Sequence, residues 1–178
     1  ARVSEAQVGG LRLTRAPVSI PHLKTPVIDV SADASGDLGN ALGFLQGSPL
    51  GPRLGSQFMG LKGEGRADYV VDLSIPTRDA EGRDYRVRTR LHSVTVSLPA
   101  LRAPAERVTG DFELHNFEAR SRSLRGTILD GPFELSVEPG PATREASAVV
   151  ALRGRGRGAG PRLPEFIGLP RSIGMGGT

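Results

Sequence analysis

The chain has 178 residues, enough for one domain with a real core and too few for two comfortable ones. It is 38% hydrophobic but only 4% aromatic and has no Trp, so aliphatic side chains must carry most of the burial, with the six Phe as supplements. There is no Cys, which excludes disulfides, thiolate metal sites and thiol chemistry, and the formal charge of +4 comes from an excess dominated by Arg.

The first residues, Ala1 to Glu5, are not a signal peptide and lack Met, so the chain reads as an excised piece of a longer protein. Residues 1–36 carry short apolar runs cut by Pro17, Pro21 and Pro26, which forbid a long helix. Leu11 and Leu13, then Val18 and Ile20, alternate with polar residues, and Val27 to Val30 makes a third run; the segment predicts two or three short strands at edges or strand starts. Residues 37–62 predict a helical connector. Asp37 caps it, Leu38, Ala41, Leu42 and Leu45 follow at helical spacing, and Pro49 and Gly51 end it. A second helical turn is expected over Arg53 to Met59, with Leu54 and Phe58 on one side.

From Gly65 the period becomes two. Ala67, Tyr69, Val71, Leu73 and Ile75 share one face of a strand that Pro76 stops, and the polar loop 77–82 suits a hairpin. Tyr85 to Leu98 follows as one long strand. Val87, Thr89 and Leu91 alternate with Arg86, Arg88 and Arg90, and then the parity flips to Val94, Val96 and Leu98, which predicts a β-bulge at His92 and Ser93. Val108, Gly110, Phe112 and Leu114 make the next run, then Leu124, Gly126 and Ile128, then Phe133, Leu135 and Val137, and last Ala146, Ala148, Val150 and Leu152. Residues 63–152 therefore predict a meander of short antiparallel strands with one dry and one wet face. Residues 153–178 are Gly- and Arg-rich and predict an extended tail or the start of a further repeat.

No catalytic constellation rises above background. His22, His92 and His115 are far apart in the chain and lack metal-ligand spacing, and neither a nucleophile elbow nor a phosphate loop is present. No enzyme activity, metal or cofactor is expected. The Arg-Gly run 153–158 has no interleaved aromatics on which bases would stack, so nucleic acid is not an expected partner. No stretch approaches the roughly 18 apolar residues of a membrane-spanning helix.

The apolar face is the remaining feature. A sheet must cover such a face, and the predicted helices are too short to cover six or more strands. The expected fold is all-β with one or two short connector helices, an antiparallel meander curled into an open hydrophobic groove. A closed β-sandwich serving as an interaction or adhesion module is the alternative. An outer-membrane barrel fits less well, because the strands read as short and an aromatic girdle is missing. In the groove, Val71, Leu73, Ile75, Leu91, Val94, Val96, Phe112, Leu114, Phe133, Leu135, Val150 and Leu152 are the expected lining, with lipid acyl chains as its occupant.

The motifs carry a resemblance. Phe44-Leu-Gln-Gly-Ser-Pro-Leu50, Gly63-Glu-Gly65, Tyr69-Val-Val-Asp-Leu-Ser-Ile-Pro76, Val108-Thr-Gly-Asp-Phe-Glu-Leu114 and Gly131-Pro-Phe-Glu-Leu135 occur in that order. Over about residues 28–138 the chain resembles the large bacterial AsmA-like proteins, and within them the YhdP branch. The resemblance implies a repeat protein anchored in the inner membrane, projecting into the periplasm and moving phospholipid toward the outer membrane, whose permeability barrier it serves. It implies neighbouring groove repeats and a membrane anchor elsewhere in the parent chain as partners, and it carries over no catalytic residue.

Overall fold

The structure, a computed structural model, describes residues 2–3, 6–19, 27–48, 60–76, 84–98, 103–116, 118–139 and 150–156. Among the described residues the strands are β1 (Arg2–Val3), β2 (Ala6–Val8), β3 (Leu11–Ser19), β4 (Val27–Asp37), β5 (Lys62–Glu64), β6 (Arg66–Pro76), β7 (Asp84–Ser97), β8 (Ala105–His115), β9 (Glu118–Ile128), β10 (Gly131–Pro139) and β11 (Val150–Gly156), with one helix, α1 (Leu38–Gly47), between β4 and β5. All eleven strands belong to one antiparallel sheet, in the order β1-β3-β4-β6-β7-β8-β9-β10-β11, with β2 beside β3 and β5 beside β7. The all-β meander expected from the sequence is the fold, and the sheet is open rather than closed into a barrel. Among the described residues there is no second sheet to complete a sandwich.

Three expectations need correction or extension. The strands are not short: β4, β6, β8 and β9 have 11 residues each and β7 has 14. Strand length therefore gives no ground against a membrane barrel; the open sheet does. The run at Val27 also continues as strand to Asp37, because Ala32, Ala34 and Gly36 keep the alternation with Ser31, Asp33 and Ser35. The Arg-Gly run begins inside the sheet, since β11 extends through Arg153 to Gly156 and pairs with β10 along its whole length. The second helical turn expected at Arg53 to Met59, the loop 77–82, Ala146 and Ala148, and residues 157–178 lie outside the described residues.

A line of backbone irregularities crosses the sheet and explains how a single layer makes a core. Gly65, with φ 108°, breaks what would otherwise be one strand into β5 and β6. Opposite it, the β7 bulge falls between Leu91 and Val94, where Ser93 has φ 56°. In β8 the register slips again near Arg107 (φ 52°) and Gly110 (φ 137°). Bulges bend a strand and increase its twist, so bulges aligned across three neighbours make a crease. At that crease Val94 and Ala67 are both 0% exposed, and Ala105 and Val108 are also buried. A flat single-layer sheet cannot bury its own face this completely. The bulges bend the strands here, and α1 packs against the same cluster.

Helix α1 docks beside this crease. Asp37 caps it, its Oδ1 accepting from Gly39 N–H at 2.8 Å and Asn40 N–H at 3.4 Å, while Oδ2 accepts from Gly65 N–H at 2.9 Å. Leu38 N–H in turn donates to Gly65 O at 2.8 Å, so one corner of chain holds both the helix start and the crease. The helix turns Leu38, Ala41, Leu42 and Leu45 toward the core. It can approach because Gly63 has no side chain: a Cβ there would lie 2.6 Å from two carbons of Leu38. Ser48 ends the helix, its N–H and Oγ both reaching Leu45 O.

Candidate functional site

The apolar face is built by cross-strand rows. Pairing aligns Ala32 on β4 with Val71 on β6, Val87 on β7, Leu114 on β8 and Ala119 on β9. A second row runs Ala34, Tyr69, Thr89, Phe112, and a third runs Gly36, Ala67, Leu91, Gly110, Leu124, Leu135, Gly154. Each row crosses the strands, so the apolar strip extends along the hydrogen-bonding direction. Seven successive strands, β3 to β10, at about 4.8 Å spacing make this strip about 29 Å long.

The expected lining residues fall as follows. Leu91, Val94 and Leu114 are buried members of one continuous cluster, and Val71, Leu73, Val96, Phe112, Phe133 and Leu135 pack against it. Ile75, at the far end of β6, is 37% exposed. Val150 and Leu152 are residues of β11, Leu152 in register with Val137. The structure adds residues not on the expected list: Ala32 and Ala34 from β4, Tyr69, Tyr85, Val108, Ala119, Leu124 and Val137, all buried. Two small hydroxyls, Thr89 and Ser121, are buried with them. Ser121 Oγ donates to Asp111 O.

The wall is not uniformly open. Leu114 is 4% exposed and so belongs to the packed interior, whereas Leu135 is only partly buried. A charge at Leu114 would therefore be buried without a partner and would damage the fold whatever the strip does.

The opposite face is a lattice of ion pairs between neighbouring strands. Arg90 Nε meets Asp111 at 2.9 Å, Arg88 meets Asp72 at 3.0 Å, Arg125 meets Glu134 at 2.9 Å, and Arg86 lies 3.9 Å from Glu113. The Arg run of β7 thus has local carboxylate partners. Hydrogen bonds, first from Ser31 and then from Arg88, hold the Asp72 carboxyl below the usual carboxylate range. His115 Nε2 at 2.8 Å, and then Asn116, do the same for Asp84. His92 pairs with Asp68 at 2.7 Å. Both described histidines therefore sit in surface pairs, and among the described residues no group of three or more His, Cys, Asp or Glu could hold a metal ion. No helix among the described residues is long and apolar enough to cross a membrane.

A family model described as YhdP protein matches residues 1–177. The match takes in the first 27 residues and the Arg-Gly segment, which the motif resemblance did not reach. No curated protein and no solved structure matches the chain.

Proposed function

We propose that this chain, which belongs to the YhdP family of AsmA-like bacterial envelope proteins, is a non-enzymatic segment that carries phospholipid acyl chains along its apolar strip. The parent protein would hold it in the periplasm from an inner-membrane anchor and stack it against further repeats, so that lipid passes toward the outer membrane. The observation that carries this reading is the single-layer sheet whose one apolar face runs unbroken across its strands. Such a face replaces the bilayer core for a hydrocarbon chain without demanding hydrogen bonds, at about 0.8 kcal/mol per buried methylene. Its length of about 29 Å is about twice the 15 Å that one acyl chain spans in half of a bilayer core of about 30 Å. The ion-paired outer face keeps the other side of the sheet in water.

A second reading is favoured by the tight burial at Ala67 and Val94: a self-packed interaction module that holds no lipid. Native mass spectrometry of the purified chain, followed by solvent extraction and lipid analysis, separates the two. Co-purified phospholipid that disappears in Leu135→Asp, in a chain that stays folded, is the result expected of a lipid-carrying strip. A stable, lipid-free monomer would overturn that reading in favour of the self-packed module.

A further inference from the structure

Tyr69 places a hydroxyl in the middle of the apolar wall. The residue is 6% exposed and belongs to the buried cluster. Its register neighbours are Ala34 on β4 and Thr89 on β7, both buried. Among the described residues its Oη has no hydrogen-bond partner. A phenylalanine would fill the same space and bring no donor that needs satisfying, so the hydroxyl is a net cost to the fold as it stands. Burial, with the nearby Asp37 and Asp68 carboxylates, pushes the phenol pKa up to about 12, so the group is a protonated donor throughout the physiological range.

A lipid lying in the strip brings few acceptors to this position. Its phosphate is charged and stays with water, because burying it unpaired is far too unfavourable. Its chains are hydrocarbon. The acceptor that travels with the chain root is the ester carbonyl. We propose that Tyr69 Oη donates a hydrogen bond to the ester carbonyl oxygen of a diacyl lipid in the strip, and so selects ester-linked over ether-linked chains. The inference rests on the lipid-carrying reading above. Oη is shut off from solvent, so the ester reaches it with the acyl chain that parts the wall, not from bulk water.

The test offers the 178-residue chain an equimolar mixture of two phospholipids with the same headgroup and chain length, one diacyl and one dialkyl ether, and measures the retained ratio by extraction and mass spectrometry. The wild-type chain should favour the ester by about three- to tenfold, the range of one neutral hydrogen bond. Tyr69→Phe should bring the ratio to about one, leave retention of the ether lipid unchanged, and melt no lower than wild type when lipid-free. A wild-type ratio of one would overturn the proposal while leaving lipid carriage intact. So would a Tyr69→Phe chain that keeps the preference, or one whose lipid-free form melts lower, since the hydroxyl would then already be satisfied within the fold. Retention of neither lipid would overturn both this proposal and the reading on which it rests.

Discussion

Truncating Leu114 measures whether the wall of the strip is packed like a protein interior. Leu114 is 4% exposed and lies between Val87 and Ala119 in its row. Those flanking positions sit on strands paired on both sides, so the backbone cannot collapse into the space left by Leu114→Ala. Leu→Ala at such a site costs about 2–5 kcal/mol, and restricted relaxation places this one near the middle, about 3 kcal/mol. For a chain of this size that is a fall in Tm of about 6–12 °C. Ile75→Ala provides the internal control. Ile75 is 37% exposed at the strand end beside Pro76, so its truncation should cost about 1 kcal/mol. Urea unfolding with linear extrapolation gives both values, compared at constant m so that only stability differs. A Leu114→Ala cost below about 1 kcal/mol, or one equal to that of Ile75→Ala, would refute the packed wall.

Other outcomes follow from the same geometry. Gly63→Val should destabilise by about 1–3 kcal/mol, because its Cβ would meet Leu38 at 2.6 Å, whereas Gly43→Ala, with nothing within 4 Å, should stabilise α1 by up to about 1 kcal/mol; thermal melts of the two variants should move in opposite directions. Asp37→Ala removes the acceptor of Gly39, Asn40 and Gly65 N–H together and should cost about 1–2 kcal/mol, with hydrogen exchange accelerated at those amides. Asp72 has a folded pKa below its unfolded value of about 3.9, so its stabilising contribution is present above about pH 4 and is lost as pH falls through the depressed folded value. The Tm difference between wild type and Asp72→Asn should accordingly be largest above about pH 5 and shrink below about pH 4, and an offset constant with pH would refute the assignment.

Local alternation made much of the sheet legible. The faces of β6 and β7 follow period two, and the parity flip in β7 located the bulge that the structure places at Ser93. The helix start was legible because capping is a local chemistry, and Asp37 has it. What was hidden was hidden for physical reasons. Ala32, Ala34, Ala119 and Ser121 are small, so they carry little apolar signal; neighbours on other strands supply their burial. The β4–β6 pairing bridges a helix and is a non-local fact, invisible to any window of sequence. Tyr69 read as one more member of an apolar face, since nothing in the chain announces whether its hydroxyl finds a partner.

The crease also decides what kind of strip this is. A sheet that bends only gently leaves its face wet when empty, and an exposed apolar face of this extent invites aggregation. The bulges at Gly65, Ser93 and Gly110 bend the strands, and among the described residues the cluster around Val94 is enclosed without a second sheet. The same bend limits access, because a chain entering near Val94 must displace side chains that already touch. Entry is easier away from the crease, where Val71, Leu73, Phe112 and Leu135 are only partly buried and Ile75 is open. Tyr69 lies between these regimes, two residues from the enclosed Ala67 and two from the half-open Val71, so a chain moving inward from the open side along β6 reaches its hydroxyl before it reaches the enclosed crease.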